Sequence, residues 1–133
     1  MFTPLRYDSG KLVRRPVATT QTIVKGDALI WSSGYVAVAA STTEDVYAVA
    51  MEDSSSQAAG TLILVLPVEG VEFEADCDAV VSIADRGTRC DLGDEDYLDP
   101  DATTEMVFLI EEIVGKEEVS KKVIGHFCRF KAT

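Results

Sequence analysis

The side chains able to do chemistry are few and scattered. His126 is the only histidine, so a histidine-based triad or a multi-histidine metal centre has only that residue to work with. It sits in Val123-Ile124-Gly125-His126-Phe127-Cys128, where strand alternation puts it on the same face as Cys128. A Cys–His nucleophile pair also needs an activated thiolate and a third, orienting group. Three residues of one strand do not supply those, and His126 reads as structural. Cys77, Cys90 and Cys128 match no zinc spacing and no CxxC. They read as buried thiols, with a Cys77–Cys90 bridge as the alternative. The segment Asp91 to Asp101 is rich in acids, yet it fails the calcium-loop spacing of a glycine at position six and a glutamate at twelve, and it contains Pro100. It reads as a solvated loop rather than a cation site. Glu72/Glu74 and Glu111/Glu112 are acid pairs of the type glycosidases use, but nothing in the sequence converges them, and exposed strand faces explain them better. Ser54-Ser55-Ser56 has no nucleophile-elbow glycines. Trp31 and Tyr35 flank a turn and read as core or rim packing, with a ligand platform as the alternative. No catalytic residue, metal or cofactor is expected.

Those residues are carried by short apolar runs separated by Gly, Ser and Asp, the pattern of short strands and tight turns. From Lys25 to Glu74 it is continuous. Ala28 to Trp31, Tyr35 to Ala39 and Val46 to Met51 read as strands, preceded by Thr19 to Val24. Ser54 to Gly60 reads as a flexible loop. Thr61 to Val68 is almost wholly apolar, as expected of a strand covered on both faces. Val71, Phe73 and Ala75 alternate with Glu72, Glu74 and Asp76, giving one buried and one wet face. Ala79 to Ile83 reads as a strand or a short capped helix, and Thr88 to Leu92 as a strand. Gly93 to Thr104 reads as a loop, and Met106 to Val114 and Lys121 to Phe130 as the closing strands. Glycine-centred turns recur from Gly26 to Gly125 at a spacing that fits about eight to ten short strands. The expected fold is all-β, a small single-domain barrel.

The chain has 133 residues, the size of one domain. At that size no disulfide or metal is needed to hold a core. No unbroken apolar run approaches the ~20 residues of a membrane helix. The first sixteen residues lack the apolar core of a signal peptide, so use without secretion is expected. Pro4, Gly10 and Pro16 interrupt any regular element there. Residues 1–16 therefore read as an extended N-terminal arm and 17–133 as the body.

Net charge is −11 and unevenly placed. Up to Lys25 five basic residues face the single acid Asp8, whereas Ser41 to Glu112 holds nineteen acids against Arg86 and Arg89. Such a body repels phosphate, which argues against nucleic acid as a partner. The acidic body either simply keeps the protein soluble or faces water while the basic arm docks on an acidic surface. On the second reading Arg6, Lys11, Arg14 and Arg15 are the partner-binding residues.

The order of motifs carries a resemblance. Ile23-Val24-Lys25-Gly26-Asp27 is followed by Val46-Tyr47-Ala48-Val49-Ala50-Met51-Glu52, a small-residue loop and Gly60. Then come Val71-Glu72-Phe73-Glu74-Ala75-Asp76, Gly87-Thr88-Arg89-Cys90-Asp91-Leu92 and Val123-Ile124-Gly125-His126-Phe127. Over roughly residues 17 to 130 this resembles the capsid decoration (cement) proteins of tailed phages. The resemblance implies a β-barrel or β-tulip without catalytic residues, often trimeric. It implies a place on the capsid surface of the virion after synthesis in the host cytoplasm, with the major capsid protein as partner and the arm as contact element. Another head–tail or tail component is the alternative. A small ligand-binding barrel, similar to the antifreeze-like modules that share the Lys-Gly-Asp turn, is the third.

Overall fold

Alternation becomes strand where one face can be buried. In the computed structural model, which describes residues 1–55 and 57–128, Phe73 and Ala75 are fully buried while Glu72 is exposed. They lie on β9 (Glu72–Asp76). This strand sits in a six-stranded antiparallel sheet with β1 (Phe2–Arg6), β10 (Arg89–Asp94), β11 (Tyr97–Asp99), β12 (Phe108–Ile113) and β13 (Lys122–Phe127). The order is β1-β9-β13-β12-β10-β11. A five-stranded sheet holds β2 (Val13–Pro16), β4 (Ala28–Ser32), β5 (Tyr35–Val38), β6 (Ala48–Ala50) and β8 (Leu62–Pro67), in the order β2-β8-β6-β4-β5. A two-stranded pair joins β3 (Thr22–Ile23) to β7 (Ser54–Ser55). The fold is all-β, with thirteen strands and no α-helix among the described residues.

Each large sheet curls toward itself but does not close as a barrel. In the five-stranded sheet the two edges meet at a parallel bridge between Val17 and Val36, where the Ala18 amide donates to the Val36 carbonyl at 2.9 Å. In the six-stranded sheet a similar bridge joins Cys77 to Leu98. A bridge is not a ladder, so the seams stay open.

The five-stranded sheet is buried on both faces only at its centre. The run from Thr61 to Val68, expected to be covered on both faces, is so covered at Val65 and Leu66, while Leu62 is exposed and Leu64 half-buried because that end of β8 projects beyond the neighbouring core. Ala28, Val49 and Leu66 pack into the main core shared with the six-stranded sheet. Leu29, Ala48, Ala50, Ile63 and Val65 pack with Val17, Ile23 and Val36 into a second core inside the curl. Alanines at 48 and 50 leave room for the larger side chains opposite. The main core centres on four phenylalanines. Phe127 touches Phe2, Phe108 and Phe73 at centroid distances of 5.0, 5.1 and 5.4 Å. The last two contacts are edge-on, a favoured aromatic geometry.

The expectation of a separate arm at 1–16 is corrected. Phe2 is fully buried and β1 pairs with β9 from Phe2↔Ala75 onward. The Met1 amine lies 2.7 Å from Asp76 Oδ2. The chain then makes a 3-10 turn at Ser9–Lys11, capped by Asp8, whose side chain accepts from the Gly10 amide at 2.9 Å. It continues as β2, paired with β8. Burying Phe2 outweighs the breakers, and the breakers fall where they do no harm. Pro4 and Pro16 lie on edge strands, where a missing amide costs no ladder bond.

Other boundaries also move. Thr19 to Val24 shrinks to β3 because Thr20 takes a positive φ of 55°. Its partner, β7, lies in the segment expected to be a loop. Ala79 to Ile83 forms neither alternative. It leads into a 3-10 turn at Ile83–Asp85, where Ser82 and Asp85 make a capping box. The acidic stretch 93–104 contains β11, hairpinned onto β10. Ser56 and the expected end of the last strand at Phe130 lie outside the described residues.

Glu95, in the turn between β10 and β11, ties the two sheets: its carbonyl accepts from the Ala28 amide at 2.7 Å. A hydrogen bond with the Asp94 carboxyl, then burial, raises its own carboxyl to about 7. Asp27, also raised by burial, and then by Asp96, stands close by. Glu95's folded value exceeds the ordinary 4.5, so protonation favours the folded state. That stabilisation is full below the unfolded value and is lost as pH rises through about 7. Glu95→Gln should therefore flatten the fall of the urea midpoint between pH 5 and pH 8, which unfolding curves of both proteins at both pH values would measure. Parallel pH profiles would contradict a shared proton there.

Candidate functional site

The reactive side chains are dispersed and mostly engaged. His126 Nδ1 lies 2.6 Å from Glu111 Oε1, with both side chains about two-fifths exposed at 44% and 42%. Cys128 is buried, so the two members of the expected face differ in access to solvent. Burial raises the Cys128 thiol. Burial, then Asp78, pushes Cys77 up to about 12, and Cys90 is raised by burial and then by Cys77. All three cysteines are free thiols, so the alternative of a Cys77–Cys90 bridge is not formed. High thiol pKa values suppress the thiolate that does chemistry.

The acids likewise have structural work. Glu112 pairs with Arg86 at 3.0 Å, which holds its carboxyl below the ordinary range. Glu74 faces Lys122 at 3.6 Å. Glu72, Glu111 and His126 border an open hollow of about 300 Å³. Asp91 is buried; Oδ1 accepts from the amides of Glu105 (2.7 Å) and Met106 (2.8 Å) and Oδ2 from Thr104 (3.2 Å). Within the acidic stretch it is thus a loop anchor. Among the described residues no group of three or more histidines, cysteines or acids is arranged to hold a metal ion.

The four cations assigned to docking are not grouped for it. Lys11 Nζ donates to the Glu69 carbonyl at 2.9 Å. Arg14 lies 3.4 Å from Glu52, and Arg15 Nε donates to the Tyr47 hydroxyl at 3.0 Å. Three of the four therefore tie the N-terminal segment to the body. Arg6 ends β1, exposed, with no ion pair among the described residues.

What the fold does assemble is a groove. It has a volume of about 520 Å³, and its lining includes the aromatic residues Trp31, Tyr47 and Phe127. Val46, Pro67 and Val68 add apolar lining, and Asp45, Glu69 and Gly70 complete it. The Trp31 and Tyr47 rings sit 4.7 Å apart at 36°, with Trp31 46% exposed. β4 carries the tryptophan to the surface because its inner positions, Ala28 and Leu29, are used by the cores. Arg15 clamps the tyrosine from behind. A concave, mostly apolar surface with a few polar groups is the usual form of a binding site. Trp31 was singled out in the sequence, as core or rim packing with a ligand platform as the alternative. Tyr47 and the Pro67–Gly70 corner were not, since four segments far apart in sequence build this groove. Tyr35, exposed across the β4–β5 turn, does not line it.

Comparison of the chain with protein-family models, curated proteins and solved structures returns no match.

Proposed function

We propose that the protein is a non-catalytic structural module of the tailed-phage capsid decoration type, which attaches to the major capsid protein and adds contact between shell subunits. The observation that carries the reading is the exposed Trp31–Tyr47 pair over an apolar groove, on a sheet held rigid by a core on each face. Aromatic anchors in well-packed pockets dominate the energy of protein interfaces. A sheet with a core packed against each face at its centre keeps such an anchor in place at little entropic cost on binding. The buried thiols and the engaged His126 and Asp91 agree with a structural role. The motif order quoted above supplies the shell as partner, and self-association into a trimer on that shell belongs to the same proposal. Contact then falls mainly to the groove, with the exposed Arg6 as an adjunct, rather than to a free basic arm.

The test is cosedimentation with expanded empty shells. The intact protein should bind, and Trp31→Ala should weaken binding by about 2 kcal/mol or more, as expected of an interface hot spot, while leaving the unfolding midpoint nearly unchanged. Binding by the intact chain that ignores Trp31 would move the contact elsewhere. No binding to shells by the intact chain would remove the decoration reading and favour a tail component.

A further inference from the structure

We propose that copies of this chain meet through an apolar tip built by two loops, residues 79–85 and 115–120, and that the occupant of this surface is the same tip of a second copy. This names a surface for the self-association in the proposed function and rests on that part of it.

The tip shows aliphatic side chains to solvent. Val119 is 66% exposed, and Ile83 and Val80 are exposed as well. Single exposed aliphatics are ordinary, but these three stand on adjoining loops, and grouped apolar surface marks contact sites. The loops adjoin through three hydrogen bonds. The Glu118 amide donates to the Val81 carbonyl at 2.7 Å, and the Val81 amide to the Ser120 carbonyl at 3.0 Å. The Ile83 amide donates to Glu117 Oε2 at 2.9 Å. The Val119 and Ser120 amides both donate to the Lys116 carbonyl, at 3.3 and 2.9 Å. Glu118 holds a positive φ of 63°, which a side chain tolerates only when its surroundings impose it, and such residues gather at functional sites. A tip braced in this way loses little freedom on binding.

Charge selects the occupant. The chain carries −11, with nineteen acids against two arginines from Ser41 to Glu112, so two copies repel through that segment. The tip differs. Residues 115–122 hold Lys116, Lys121 and Lys122 against Glu117 and Glu118. Lys122 faces Glu74 and Asp76, and Glu117 is held by the Ile83 amide. Lys116 and Glu118 are exposed, and neither side chain has a hydrogen bond or ion pair among the described residues. A symmetry axis between two tips sets Lys116 of each copy toward Glu118 of the other, the reciprocal pairing of a self-complementary patch. A partner surface of one sign would oppose one of the two. Three aliphatic side chains give far less than the roughly 800 Å² per partner of a stable complex. The contact is therefore weak in solution, and attachment of neighbouring copies to one shell strengthens it by raising their effective concentration.

The test measures translational diffusion of the intact protein from about 0.05 to about 2 mM, a range that brackets dissociation on the order of millimolar. The intact protein should slow with concentration more than Val119→Asp, which should stay monomeric with an unchanged unfolding midpoint. Leu62→Asp, an equally acidic change at another exposed aliphatic, should slow like the parent. Lys116→Glu and Glu118→Lys should each weaken association about threefold, and an equimolar mixture of the two should associate again. Equal loss in Leu62→Asp overturns the proposal, as does a mixture that fails to recover. If Val119→Asp associates as the parent does, self-association stands and the tip assignment falls. If the intact protein never slows beyond Val119→Asp and keeps monomer diffusion throughout, the tip and the self-association both fall, while cosedimentation with shells through Trp31 still decides the decoration reading.

Discussion

Phe2→Ala should destabilise the fold by about 3–5 kcal/mol, the usual cost of emptying a buried aromatic site. Phe2 has no exposed surface, and its ring meets those of Phe127 and Phe108 at 5.0 and 6.2 Å. Its amide donates to the Gly26 carbonyl at 2.9 Å, and β1 is a full strand of the larger sheet. The space it leaves lies between rigid neighbours that cannot collapse far. Urea unfolding followed by circular dichroism measures the loss; a cost below about 1 kcal/mol would mean that β1 contributes little to the core. Deleting residues 1–16 is the stronger version. It removes β1 from one sheet and β2 from the other, and it exposes Phe73 and the outer side of β8. The truncated chain should show no cooperative transition. A free arm would instead leave the body unchanged, and amide exchange at Thr3 and Val13 would then be fast rather than protected.

Asp91→Ala should cost about 3 kcal/mol or more, because three amides lose a charged acceptor together and hydrogen bonds to charged groups are worth about 1.5–3 kcal/mol each. The carboxylate is buried, and it organises Thr104, Glu105 and Met106 just before β12. Met106 holds a positive φ of 58°, a conformation a side chain tolerates only when its surroundings impose it. Losing the anchor should therefore release the turn first. Exchange of the Glu105 and Met106 amides should accelerate well beyond that of β9, and Asp91→Asn, which keeps one acceptor oxygen, should recover part of the stability. Equal stability of the Ala variant and the parent would show that water replaces the carboxylate. The same substitution separates a structural acid from the cation-binding role that an acid-rich stretch suggests, since the loss should appear without any added ion.

Both predictions concern residues whose importance is invisible locally. Asp91 is one of many acids between Ser41 and Glu112, and nothing in its spacing distinguishes it from the solvated Asp101. Its role follows from facing amides thirteen to fifteen residues away. Phe2 stands among Pro and Gly residues that read as an extended arm; its partner in the sheet is Ala75. By contrast, β4, β5, β8, β9 and β12 were legible within a few residues, because each carries its own apolar period and its own bounding turn.

The chain's local chemistry by itself determined that this is an all-β protein. Period-two alternation at Val71–Asp76 and the apolar, strand-length run at Thr61–Val68 allow little else. It also determined that reactive side chains are too few and too dispersed to read as a catalytic motif. Only the tertiary structure decided which strands neighbour one another, that the N-terminal residues complete both sheets, and that Trp31, Tyr47, Pro67 and Phe127 line one groove. The physical reason is range. Alternation and turn chemistry act over a few residues and are written in order along the chain. Pairing β1 with β9, or bringing Trp31 beside Tyr47, depends on the joint burial of surfaces from distant segments, and that free energy is a property of the packed whole.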